Sequence, residues 1–194
     1  MLKFNRLGYT ACVLAGLAFA AAATAQTSSG ANESAENQQL SEKSVNLITK
    51  FALTTIPTEI PQPDGTVMKI DIEDVDKIIV PVDDARRIIM IARNSAHAQI
   101  CNMPDLQAEN YLALMDMEQG KNKWSKEQIL FINRLHLFTV MWLTGNVRLV
   151  EKGEGEKPEV ISTPKNSEQQ DCTPEDKESV KANIEAFVKS VRKS

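Results

Sequence analysis

The residues of this chain best suited to chemistry are two histidines and two cysteines: His97, Cys101, His136 and Cys172. Thiolate and imidazole are preferred zinc ligands, and two of each complete a tetrahedron. His97 and Cys101 stand four apart and share a face if their segment is helical. The set lacks the short paired spacings of zinc fingers, however. The third cysteine, Cys12, falls inside an N-terminal apolar run. Setting it aside leaves an even pair, which in an exported chain reads as a disulfide. The expectation is therefore a Cys101–Cys172 bond, with no metal and no cofactor. Closing a loop of about 71 residues stabilises a fold by roughly 4 kcal/mol in the chain-entropy view, less any strain.

Asn133, His136 and Thr139 form a second constellation, a polar stripe in a segment that is otherwise apolar from Ile129 to Leu143. Such a stripe can line a small-molecule pocket or supply an acid and a base. The plainer reading is a histidine satisfied by a backbone carbonyl or a neighbour within a packed helix. The acids Asp71, Glu73, Asp74, Asp76, Asp83 and Asp84 resemble a calcium loop at first sight. Val75 stands where a third oxygen ligand is wanted, and no glycine follows, so the run reads as a solvated acidic surface with a helix cap. Nothing in the pattern marks Glu109 or Glu118 as a perturbed acid. Nucleophile elbows are absent, and so is a phosphate-cradling glycine loop, Gly153 and Gly155 lying in a charged stretch. These absences favour a non-enzymatic protein.

The elements that must position these residues follow from apolar periodicity and capping chemistry. Leu40 to Ile56 carries a broad helical face that Pro57 ends. Pro63-Asp64-Gly65 is a turn signal, and short strands at Val67–Ile72 and Ile78–Val80 allow at most one β-hairpin. Asp83 or Asp84 can cap a helix running to about Cys101. Pro104 opens the next helix, which Gly120 stops. Ser125 and Gln128 form a capping box, with Trp124 placed as a hydrophobic staple. The helix behind them is the most apolar and reads as the central one, weakened or ended at Gly145. Thr173-Pro174-Glu175-Asp176 is a strong start for a last helix.

Residues 1–25 have a composition unlike the rest. They hold Lys3, Arg6 and no acid, so their removal takes the net charge from −4 to −6. A short basic start, an Ala- and Leu-rich run and Ala23-Thr24-Ala25 make a secretory signal cleaved after Ala25. The alternative is a retained anchor, since the run is just long enough to span a bilayer. The acidic balance excludes a general nucleic-acid binder, and Asn, Arg and His interrupt the one apolar helix too often for a membrane span.

The sequence thus predicts a mainly α protein: a single helical domain of about five helices, with at most one short β-hairpin, stapled by one disulfide. Residues 1–25 are the signal, 26–40 a disordered leader, and 41–192 the domain, with a flexible polar loop at 151–171. The predicted location is periplasmic. The predicted role is a protein-binding or envelope-associated accessory factor whose partner is another envelope protein. Two alternatives are a small-molecule binding domain with a pocket near Asn133, His136 and Thr139, and an acid-stress chaperone.

Overall fold

Each helix of this chain is cut to length by local capping chemistry. The computed structural model describes residues 40–151, 159–162 and 171–193. The expected signal, the leader up to residue 39 and most of the 151–171 loop lie outside the described residues. Among those described are five α-helices: α1 Glu42–Leu53, α2 Val82–Ile100, α3 Pro104–Gly120, α4 Lys126–Leu143 and α5 Pro174–Val191. No helix among the described residues is long and apolar enough to cross a membrane.

At the start of α4, Ser125 and Gln128 form the expected capping box, the Ser125 hydroxyl accepting the Gln128 N–H at 3.1 Å. Thr173 and Asp176 do the same for α5. Helix α2 departs from expectation. It starts after Pro81 with no side-chain cap, and Asp83 and Asp84 sit inside its first turn. There they pair with Arg86 and Arg87 one turn later, while their charge still complements the helix dipole. Helix α1 stops before Pro57, because the hydroxyls of Thr54 and Thr55 bond back to the carbonyls of Phe51 and Ala52, both at 2.7 Å.

Two helices end in the same way. After α2, Asn102 adopts φ 55°; its N–H bonds the Gln99 carbonyl and the Met103 N–H bonds that of Ala98. After α4, Gly145 adopts φ 77°, with Gly145 bonded to Trp142 and Asn146 to Met141. Both are left-handed C-terminal caps that satisfy otherwise orphaned carbonyls. The first one fixes Cys101 at the end of α2, where it is buried and bonded to Cys172, immediately before the Thr173 cap of α5. The Cα atoms are 5.1 Å apart.

The hairpin forms with a different pairing from the one expected. Strand β1 (Glu59–Pro61) pairs antiparallel with β2 (Val67–Lys69), Ile60 facing Met68. The turn at Asp64 and Gly65 returns the chain onto the residues just before it. Asp64 accepts the Thr66 N–H, and Gly65 supplies φ 83°. Ile78 and Val80 are buried but form no strand, following a short 3₁₀ turn at Val75–Lys77. A second antiparallel pair, β3 (Leu149–Glu151) with β4 (Glu159–Ser162), goes beyond the single hairpin allowed from sequence and falls within the stretch read as a loop.

The main core joins Val45 and Ile48 of α1, Ile88 and Ile89 of α2, Leu114 of α3, and Phe131, Ile132 and Leu135 of α4. Each such side chain contributes roughly 1.5–3 kcal/mol when fully buried. A smaller cluster seats Val180, Ile184 and Val188 of α5 against Ala98 and Ala113. Helix α4 packs on α1, α2 and α3, but α2 packs on all four other helices. The most connected element is thus the amphipathic α2, not the most apolar α4.

Candidate functional site

The α2–α3–α4 interface gathers two buried polar centres, one at each end of α3, and an open groove runs beside them. The first centre is built around His136. One helical face of α4 turns Phe131, Leu135, His136 and Thr139 inward, and across from it α2 presents Ser95 and α3 presents Asn110, both fully buried. The Asn110 amide donates to the Ile91 carbonyl and to Ser95 Oγ, both at 2.8 Å. Because Ser95 Oγ accepts there, its own hydrogen is free to donate to His136 Nε2, 3.0 Å away. That direction places the neutral imidazole's proton on Nδ1. The Tyr111 ring lies 5.2 Å from the imidazole, tilted by 49°. His136 is 5% exposed. Burial alone lowers its titration to about 4, and no charged group pulls on it.

The second centre is Glu118, whose carboxylate is fully buried. Arg87 of α2 donates to its Oε1 at 2.8 Å, Lys121 to both oxygens at 2.9 Å, and the Trp124 indole N–H to Oε2 at 2.8 Å. Arg87 also holds Asp84, which Lys123 reaches as well. Burial on its own raises the Glu118 carboxyl, but the hydrogen bonds from Lys121, Trp124 and Arg87 outweigh it and hold the group below the ordinary range.

The groove has a volume of about 690 Å³ and runs between the β1–β2 hairpin, α3 and the start of α4. Ile60 and Met68, paired across the hairpin, form one wall. Tyr111, Leu112 and Met115 come from α3, and Trp124, Ile129, Leu130 and Asn133 from the α4 side. Its charged lining is one acid, Asp116, and one base, Lys126. Leu112 is 57% exposed there.

The three residues of the polar stripe are therefore separated by their helix. Asn133 faces the groove and donates to the Tyr111 hydroxyl at 2.8 Å. His136 points into the interface. Thr139 is fully buried and bonds back to the Leu135 carbonyl at 2.7 Å. Cys101 and Cys172 are bonded to each other, so neither offers a thiolate to the histidines.

Two residues of the site go unmarked in the sequence reading, Asn110 and Glu118. A signal for both exists. Asn110, Leu114 and Glu118 recur at a spacing of four on α3, which makes one buried stripe. A glutamate on such a stripe needs cations and donors nearby, and Lys121, Lys123 and Trp124 follow within one or two turns. No family model, no curated protein and no solved structure matches this chain.

Proposed function

We propose that this protein is a non-enzymatic binding protein of the cell envelope, delivered by a cleaved signal, that takes an apolar segment of another envelope protein into the groove between its hairpin, α3 and α4. One observation carries the reading. The two polar centres are spent on each other inside the helix interface, whereas the groove leaves an apolar lining and a 57% exposed Leu112 in the open. Exposed apolar surface in a concave site is what a partner's apolar side chains can cover. With a single acid and a single base in the lining, the fitting partner segment is apolar and close to neutral, such as one face of an amphipathic helix.

The test is site-specific photocrosslinking in intact cells, with the probe at Leu112 and a control probe at Glu178 on α5. A discrete adduct from Leu112 alone, lost when Met115→Glu is added in the groove, supports the reading. Equal labelling from both positions, or an adduct indifferent to Met115→Glu, refutes it.

The groove also favours a second reading, a small-molecule site. Its volume lies within the range of about 300–1,000 Å³ usual for ligand pockets, and Asn133 with Tyr111 offers polar anchoring beside apolar walls. Thermal-shift screening separates the two, since a true ligand raises the Tm in proportion to its occupancy and Asn133→Ala cancels the shift.

A further inference from the structure

We propose that the groove is acid-gated: Glu118 and His136, each buried directly behind an aromatic ring of the groove wall, hold Trp124 and Tyr111 in place, and protonation of the two groups releases both rings. The proposal rests on the groove being the binding surface, and it adds a regulation of that surface.

The geometry is the same at both ends of α3. Trp124 lines the groove and is tethered from behind by its indole N–H to Glu118 Oε2, at 2.8 Å. Tyr111 lines the groove and rests from behind on His136, with ring centres 5.2 Å apart. The groups facing Glu118 are Arg87 from α2, with Asp84 attached to it, and Lys121 and Trp124 from the segment between α3 and α4; Lys123 reaches this set through Asp84. The groups facing His136 are Ser95 from α2 and Asn110 and Tyr111 from α3, all uncharged. No charged group on any packed helix acts on it.

A proton on Glu118 removes the negative charge that holds two cations together. The side chains of Arg87 and Lys121 are 37% and 30% exposed, so both can turn to water. Trp124 then loses its charged acceptor, and with it the tether to α3. A proton on His136 Nε2 leaves two hydrogens facing each other, because the Ser95 hydroxyl already donates along that line. The serine must turn, which displaces the Asn110 bond as well. Tyr111's ring face offers a cation some attraction, but desolvation prevails and His136 stays neutral down to about pH 4. Glu118, held below the ordinary carboxylate range, titrates in the same acid region. The two releases therefore coincide, and the wall loosens over a narrow pH interval.

The measurement is Trp124 emission from pH 7 to pH 2.5, read beside far-UV circular dichroism, on the full chain carrying Trp142→Phe. That substitution leaves Trp124 as the single tryptophan, and it removes an indole N–H that is buried without a partner, so no hydrogen bond is lost with it. The expected result is a red shift of Trp124 below about pH 4.5 while helical signal persists. Glu118→Gln should abolish the shift, and Lys121→Gln, which keeps the carboxylate but weakens its hold, should move the midpoint to higher pH. In His136→Gln the transition should become less steep, since one of two coupled protons is gone. Emission that changes only together with helix loss overturns the proposal. So does a shift that persists in Glu118→Gln or keeps its midpoint in Lys121→Gln, and an unaltered steepness in His136→Gln removes the coupling of the two groups. None of these readouts involves a partner, so they stand or fall separately from the crosslinking result.

Discussion

Lowering the pH should drain stability from this fold well above the range where carboxylates titrate, and His136 is the cause. Its imidazole is 5% exposed and stays neutral in the folded protein down to about pH 4. In the unfolded chain it takes up a proton near the ordinary value of 6.5. Between those two values the unfolded state binds more protons than the native state, so stability falls as pH falls, by about 1.4 kcal/mol per unit. The loss amounts to about 2.7 kcal/mol at pH 4.5 and levels off below about pH 4 at a little over 3 kcal/mol. His97 acts in the same direction, because burial and then the nearby Arg93 lower it too. The contribution of His136 is therefore isolated as a difference: urea unfolding of the wild-type chain and of His136→Gln, followed by circular dichroism at pH 7, 5.5 and 4.5. Gln can accept from Ser95 but does not titrate. The variant should be the weaker protein at pH 7 and gain on the wild type by about 2.7 kcal/mol at pH 4.5. A gap between the two that does not change with pH would refute the buried neutral imidazole and the reasoning built on it.

Two further outcomes test the frame that carries the site. Reducing the Cys101–Cys172 bond, or replacing both cysteines with serine, should lower unfolding stability by up to about 4 kcal/mol, because the closed loop spans 71 residues; urea midpoints with and without reductant measure it. Ser125→Ala should cost about 1 kcal/mol by removing the acceptor for the Gln128 N–H at the start of α4, visible as a drop in Tm of several degrees for a domain of this size.

Local rules were enough to predict the helices. Pro104, the Ser125–Gln128 box and the Thr173-Pro174 start act within one turn, so the bounds of α3, α4 and α5 follow from a few residues each. The disulfide was legible for another reason: two cysteines in an even pair leave a single pairing. The hairpin partner of Val67–Lys69 was less accessible, since β1 is three residues long, contains Pro61 and reads as a proline-rich connection until the turn at Gly65 folds it back. The centre of packing was misread because hydropathy measures how apolar a helix is, whereas the number of neighbours depends on where the chain places it. α2 carries Arg86, Arg87 and Arg93 on its outer faces and still touches every other helix. Glu118 and Asn110 were hidden for the same reason, their partners Arg87, Ile91 and Ser95 lying on a different helix.

The polar groups inside this interface do something that apolar residues of the same size would not. Replacing a satisfied buried polar network with well-packed hydrophobic side chains is often neutral or stabilising, so the Asn110–Ser95–His136 chain is poorly accounted for as a source of stability. It is, however, a register. Asn110 reaches a backbone carbonyl in the middle of α2 and the hydroxyl one turn further on, and Ser95 in turn fixes His136 of α4. Sliding α3 or α4 by one turn, about 5.4 Å, would leave all these groups buried and unpaired, at roughly 1–3 kcal/mol each. Alternative packings of Ile, Leu and Ala faces carry no comparable penalty. Glu118 plays the same part at the other end of α3, where a slip would strand a carboxylate away from Arg87 and Lys121. The two centres thus pin α3 at both ends against its neighbours, and the groove inherits its shape from that alignment, because Tyr111 and Trp124 are attached to the pins.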